Sequence, residues 1–283
     1  MDADVVWHHR APAPPLRGLI DGYQGYRIVG QPPALHRGLP SRHMTFIISI
    51  GDPINVVRQT SPLQLPEQYR VVVSGLQATA AMIAHDGTQE GVLVELSPLG
   101  SSALFRMPAG ELWDRSAEAS TVLGRAGDEL WERVQLARSW TERFQACDDV
   151  LMGWLRESGT ADVVARSWRA IVGSGGEVGV QDLAGRAGYT RQHLTRLFRR
   201  ELGLGPKLAS RVVRFDRAAR MLRASPPSIP MTPATLPADV AAACGYADQA
   251  HLCRDFADLA GCTPGDLLAG DIPNVQDIGD VVM

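Results

Sequence analysis

The sequence contains no run of about eighteen apolar residues, the minimum for a membrane-spanning helix. It opens on Met1-Asp-Ala-Asp-Val-Val-Trp-His-His, without the basic-then-apolar layout of a secretory leader. The four cysteines, Cys147, Cys244, Cys253 and Cys262, form no C-x-x-C pair and no zinc-type cluster. They read as reduced thiols in a cytoplasmic protein, the last three as small buried hydrophobes. Ser41, Ser49 and Ser74 lie in no G-x-S-x-G elbow. His36, His43 and His85, with Glu95, are the residues from which a metal site would have to be built, but they make no compact ligand motif. The expectation is therefore no catalytic residue, no metal and no cofactor.

A length of 283 residues, 45% hydrophobic and 21% charged, suits two globular domains with separate cores. The net charge of -3 excludes a polycation, but the charge is unevenly spread. Between positions 177 and 224 lie Arg186, Arg191, Arg196, Arg199, Arg200, Lys207, Arg211, Arg214, Arg217, Arg220 and Arg223. Only Glu177, Asp182, Glu201 and Asp216 oppose them. From 225 to 270 the balance reverses, with Arg254 alone against Asp239, Asp248, Asp255, Asp258 and Asp266. A basic segment within an acidic chain is the electrostatic footprint of a polyanion partner.

Up to about residue 110 the chain consists of short apolar runs bounded by Gly, Pro and Asp, such as Met44-Thr-Phe-Ile-Ile-Ser-Ile and Gly91-Val-Leu-Val-Glu-Leu. These read as strands of a compact sheet or barrel. Helical spacing follows over about 121–137 and 140–156, carrying Leu130, Trp131, Trp140, Phe144, Leu151 and Trp154. So many large apolar side chains mark these helices either as a dimer face or as a cover for the barrel. Glu157-Ser-Gly-Thr marks a break, and five prolines between 224 and 237 mark a loop. The resulting division is 1–157, 158–270 and a tail over 271–283.

Within the second part the chain repeats itself. Leu183-Ala184, Gly188-Tyr189 and Leu194-x-Arg196-x-Phe198 recur as Val240-Ala241, Gly245-Tyr246 and Leu252-x-Arg254-x-Phe256. Steeply crossed helices need a small residue where they touch, the role of Ala184 and Ala241. The turn needs a residue that tolerates positive φ, Gly188 or Gly245, and the next helix needs an N-cap, Thr190 or Asp248. That is the layout of a helix-turn-helix, present twice. Positions one, two, five and six beyond each cap face outward, where a DNA groove would lie.

With Arg214-Phe-x-x-Ala218 between the two units, and Gly203-x-Gly-Pro and Gly261-Cys-Thr-Pro closing each, residues 160–270 resemble the DNA-binding domain of the AraC/XylS family of bacterial regulators. The resemblance implies base reading by Arg191, Gln192, Thr195 and Arg196 in the first unit. In the second it implies Gln249, Ala250, His251, Cys253 and Arg254. Arg and Gln can pair bidentately with guanine and adenine edges. Arg199 and Arg200 lie where phosphates would be met, and His193 reads as a packing residue. Pieces such as Leu39-Pro-Ser-Arg-His-Met-Thr-Phe extend the resemblance to the first half, implying a β-rich, barrel-like sensor domain with helices. The expected fold is thus α+β, with the sensor followed by an all-α domain holding two helix-turn-helix units. The expected partners are promoter DNA, a small-molecule effector, a second copy of the chain and RNA polymerase. Control by a protein partner, or residual enzymatic activity in the barrel, are the alternatives.

Overall fold

The computed structural model describes residues 4–157, 159–224 and 236–269. The proline-rich stretch and the tail singled out in the sequence lie outside these, apart from the ends of the flanking helices.

Among the described residues ten strands come first: β1 (Asp4–Arg10), β2 (Ile20–Val29), β3 (Ala34–Gly38), β4 (Thr45–Ser49), β5 (Ile54–Arg58), β6 (Glu67–Tyr69), β7 (Val71–Ser74), β8 (Ala81–His85), β9 (Gln89–Leu96) and β10 (Ser116–Glu118). They form two antiparallel sheets, one ordered β1-β2-β9-β4-β7-β10 and the other β3-β8-β5-β6. Four helices belong to the same half: α1 (Ser101–Phe105), α2 (Ala119–Leu123), α3 (Arg125–Leu136) and α4 (Trp140–Trp154).

Period-two alternation explains why the central strands are almost wholly apolar. Phe46, Ile48, Val71, Val73, Val92 and Val94 share one core with Leu130, Val134, Phe144, Cys147 and Leu151 of α3 and α4. The intervening Ile47 and Val72 turn to the other face and meet Val56, Tyr69 and Ala81 beside the second sheet. Strands covered on both faces read as continuous hydrophobic runs.

These helices cover the barrel, one of the two roles that their large apolar side chains allowed. The large side chains of α3 and α4 are spent on the barrel, Trp131 and Trp140 half-buried and covered by Arg70 and His8 at 4.8 and 5.1 Å. Leu136, at 80% exposed, is what remains in the open.

The helical half comprises α5 (Asp162–Gly173), α6 (Val180–Ala187), α7 (Arg191–Leu202), α8 (Pro206–Ala224), α9 (Leu236–Ala243), α10 (Gln249–Ala260) and α11 (Pro264–Ala269). α4 stops at Trp154 and α5 starts at Asp162, around the break read at 157–160. Yet the halves share their cores. Leu76 and Leu99 join the apolar cluster of the first helix-turn-helix unit, and Leu39 and Ala80 join that of the second. The 3-10 turn Ala109–Leu112 lies against the C-terminal end of α7. There a Cβ on Gly110 would stand 2.5 Å from the Arg200 carbonyl oxygen and 3.0 Å from the Gly203 nitrogen, so the approach requires glycine.

Candidate nucleic-acid interface

α6 ends on Gly188 at φ 67°, and Tyr189 N–H donates back to the Ala184 carbonyl at 3.0 Å. α9 ends likewise: Gly245 has φ 70° and Tyr246 N–H reaches the Ala241 carbonyl at 2.9 Å. Only glycine occupies this left-handed region without steric cost. Thr190 Oγ1 then accepts from His193 N–H at 3.2 Å, and Asp248 Oδ1 from His251 N–H at 2.6 Å, starting α7 and α10. Ala184 and Ala241 are each 2% exposed at the helix contacts, while Leu194, Phe198, Leu252 and Phe256 are fully buried. Replacing Thr190 by Val, or Asp248 by Ala, should cost about 1 kcal/mol of stability each. Urea unfolding of the full chain checks this; midpoints equal to wild type would show that the caps carry no weight.

Counted from the caps, the two readers superimpose residue for residue. His193 and His251 are both third, Thr195 and Cys253 fifth, Arg196 and Arg254 sixth. The second turn holds one extra residue, Ala247, which an alignment on Gly-Tyr conceals. The two histidines, one read from sequence as a packing residue and the other as a base reader, thus stand at equivalent positions. Each packs its ring on the turn tyrosine, His193 on Tyr189 at 4.5 Å and His251 on Tyr246 at 5.1 Å. His193 Nδ1 also lies 3.2 Å from Arg196 Nη2.

The surfaces around them differ. Arg191, Gln192, Arg196 and Arg199 are exposed on α7 and share a shallow concave surface with Lys207 at the start of α8. Thr195 borders it, with its hydroxyl donating back to the Arg191 carbonyl at 2.8 Å, a bond that occupies its proton. Arg200 is exposed as well, and its Nε and Nη2 bind Glu201 Oε1 at 2.9 and 2.6 Å. On α10, Ala250 and Arg254 are exposed, while Gln249, His251 and Cys253 are half-buried.

Much of the basic segment is internal scaffolding. Arg211 of α8 reaches Asp255 at 2.7 Å and Asp258 at 2.8 Å, tying the joining helix to the second unit. Arg214 donates to the Gly176 carbonyl at 3.0 Å and lies over the Tyr246 ring, Arg217 pairs with Glu177 at 3.4 Å, and Arg220 pairs with Asp216 at 3.2 Å. The exposed remainder, Arg186, Arg191, Arg196, Arg199 and Lys207, belongs to the first unit and the start of α8.

A second candidate site was not legible in the sequence. Between the two sheets lies a cavity of about 410 Å³, walled by Tyr26, Ile47 and Val72 from one sheet and by His36, Val56 and Ile83 from the other. His36 and His85 meet there with ring centroids 5.7 Å apart. Burial, with the charges of His85 and Arg223, pushes the His36 imidazole down to about 4. Burial lowers His85 as well, favouring its neutral form. The other two residues weighed for a metal are elsewhere: His43 pairs with Asp21 at 2.8 Å and Glu95 accepts from Gln24 at 2.7 Å. Among the described residues no three His, Cys, Asp or Glu side chains are placed to hold a metal ion, and no helix is long and apolar enough to cross a membrane.

Residues 183–270 match the family model for a helix-turn-helix domain. The HTH-type transcriptional regulator GlxA of Rhizobium meliloti (strain 1021) is 38% identical over 85 residues, which are 30% of this chain and 24% of that protein. The match thus spans about a quarter of the relative's length. Among solved structures, an apo form of a ToxT variant from Vibrio cholerae strain SCE256 aligns over 92% of this chain and 99% of its own, with a TM-score of 0.50 at 11% identity. The likeness is one of fold, a β-rich domain followed by a helical one. The C-terminal domain of AraT, a response regulator from Geobacillus stearothermophilus, covers 41% of this chain and 92% of its own at 19% identity, with a TM-score of 0.35.

Proposed function

Since residues 183–270 form an AraC-type helix-turn-helix domain, we propose that the chain is a sequence-specific DNA-binding regulator of transcription, controlled by a small molecule held in its β-rich domain. The observation that carries the reading is the residue-for-residue equivalence of α7 and α10, each capped, each with an arginine six positions past the cap and each presenting that arginine to solvent. Arg191, Gln192 and Arg196 read bases in one major groove, with Arg199 and Lys207 on the flanking phosphates. Gln249, His251 and Arg254 read the next groove, and Ala250 and Cys253 add apolar contact. The division into a sensor over 1–157 and a DNA-binding domain over 158–270 belongs to the same proposal.

The nineteen residues of α8 span about 28 Å at 1.5 Å each, which with the helix widths suits two readers one DNA turn apart, about 34 Å. One chain thus carries both readers, and the reading holds with or without a second copy or a contact to RNA polymerase. Inserting about five base pairs between the two halves of a duplex selected in vitro turns one half to the opposite face of the helix. Affinity of the full chain should then fall at least tenfold in a fluorescence anisotropy titration. Unchanged affinity would mean that only one unit enters the DNA.

A further inference from the structure

The walls of the inter-sheet cavity carry a consistent chemistry. Among the described residues the lining holds no Arg or Lys, whereas three carboxylates, Asp52, Asp86 and Glu90, belong to it. Asp52 and Asp86 are exposed, and Glu90 is half-buried. The cations nearest these groups are already engaged or stand outside the wall. Arg143 holds Glu90 at 2.7 Å and Arg27 approaches it at 3.6 Å, while Arg223 acts on His36 from α8.

The buried polar atoms point the same way. His85 Nδ1 accepts from Gly87 N–H at 3.2 Å, so in the neutral ring the proton sits on Nε2. That Nε2 is buried with no protein partner, as is His36 Nδ1. An unpartnered buried donor in an apolar cavity calls for an acceptor on whatever fills it. An anionic head would supply the acceptor. It would also lose its hydration near Asp52 and Asp86, while the arginines closest to the wall at Glu90 are already paired with that carboxylate.

We propose that this cavity takes a small amphipathic molecule whose head group is uncharged or cationic and offers a hydrogen-bond acceptor or a positive charge, and that it rejects carboxylates. The proposal rests on the reading of the β-rich domain as the effector site and names the chemistry of that effector. Apolar walls from Ile47, Ile54, Val56, Val72 and Ile83 take the hydrophobic body. His85 Nε2 meets an acceptor oxygen, and the carboxylates favour a positive head by Coulomb attraction.

Three probes of one shape test this on the full chain: 1-naphthylmethanol, 1-naphthylmethylamine and 1-naphthoic acid. Binding is followed by calorimetry and by the rise in Tm. The alcohol, which accepts from His85 Nε2, and the amine, whose ammonium pairs instead with Asp52 or Asp86, should each bind at least tenfold more tightly than the acid. A second arm uses the double variant Asp52→Lys with Asp86→Asn. The asparagine keeps the acceptor that Asp86 Oδ1 offers to Thr88 N–H at 2.9 Å, and both positions are exposed, so the fold should persist. In this variant the amine should lose about tenfold and the acid should gain. Equal or tighter binding of the acid to wild type overturns the assigned chemistry while leaving an effector cavity in place. Failure of all three probes to bind up to millimolar concentration overturns the effector site itself.

Discussion

Replacing Arg196 by alanine is expected to cost roughly 10- to 100-fold in operator affinity, whereas Arg254→Ala should cost several-fold less. Both residues stand sixth from their caps, and loss of a bidentate Arg–guanine contact removes about 1–3 kcal/mol from either. Their surroundings set the difference. Arg196 lies among Arg191, Arg199 and Lys207 on one concave surface, with His193 Nδ1 3.2 Å from its guanidinium. On the proposed reading, phosphate neutralisation by that cluster would hold α7 in the groove where Arg196 meets the bases. Beside Arg254 the acids Asp255 and Asp258 hold Arg211, and among the described residues of the second unit Arg254 is the one Arg or Lys. Anisotropy titrations of both variants at fixed salt on the selected duplex decide the matter. A loss for Arg254→Ala equal to that for Arg196→Ala would make the acidic second unit an equal anchor and refute the ranking.

The largest stability effect should come from Asp148→Ala. Asp148 is fully buried on α4 and accepts from Arg10 Nη2 at 2.8 Å, Ala13 N–H at 2.9 Å and the Tyr23 hydroxyl at 2.9 Å. It fastens the end of β1, the following loop and β2 to α4. Truncation strands the Ala13 N–H and the Tyr23 hydroxyl and takes the carboxylate from Arg10, which keeps Gln145 and the Thr141 carbonyl, and breaking such a group costs about 3 kcal/mol. For a chain of this size that lowers Tm by roughly 10 °C. Asp148→Asn keeps an acceptor for Ala13 or Tyr23 and should cost less than half as much. Equal losses for the two variants in a thermal melt would assign the effect to charge alone.

The helical half was legible because its signals are local. Gly188, Thr190, Gly245 and Asp248 do within a few residues what their chemistry suggests, and Ala184 and Ala241 sit where close packing requires them. What sequence left open was set by side-chain pairing. Glu201 holds the guanidinium of Arg200, and Arg70 and His8 lie over Trp131 and Trp140. The histidine pair of the cavity had no local signal at all. His36 and His85 come from β3 and β8, whose pairing sets His36 opposite Ile83 and only then brings the rings together. The second turn adds a subtler lesson: one inserted residue, Ala247, hid the equivalence of His193 and His251 until the caps were used as the reference.

The loop between β7 and β8 has an unusual position. Leu76 belongs to the core of the first helix-turn-helix unit and Ala80 to that of the second, while Gln77 between them is buried in the wall of the cavity. Gln77 is held only by its bond to Ser74 Oγ at 3.1 Å among those described. One short stretch of chain therefore borders the cavity and both helical cores: Gln77 stands one residue from a side chain packed in the first reader's core and three from one packed in the second's. Whatever occupies the cavity beside Gln77 is thus a near neighbour, along the chain, of the footing of each reader.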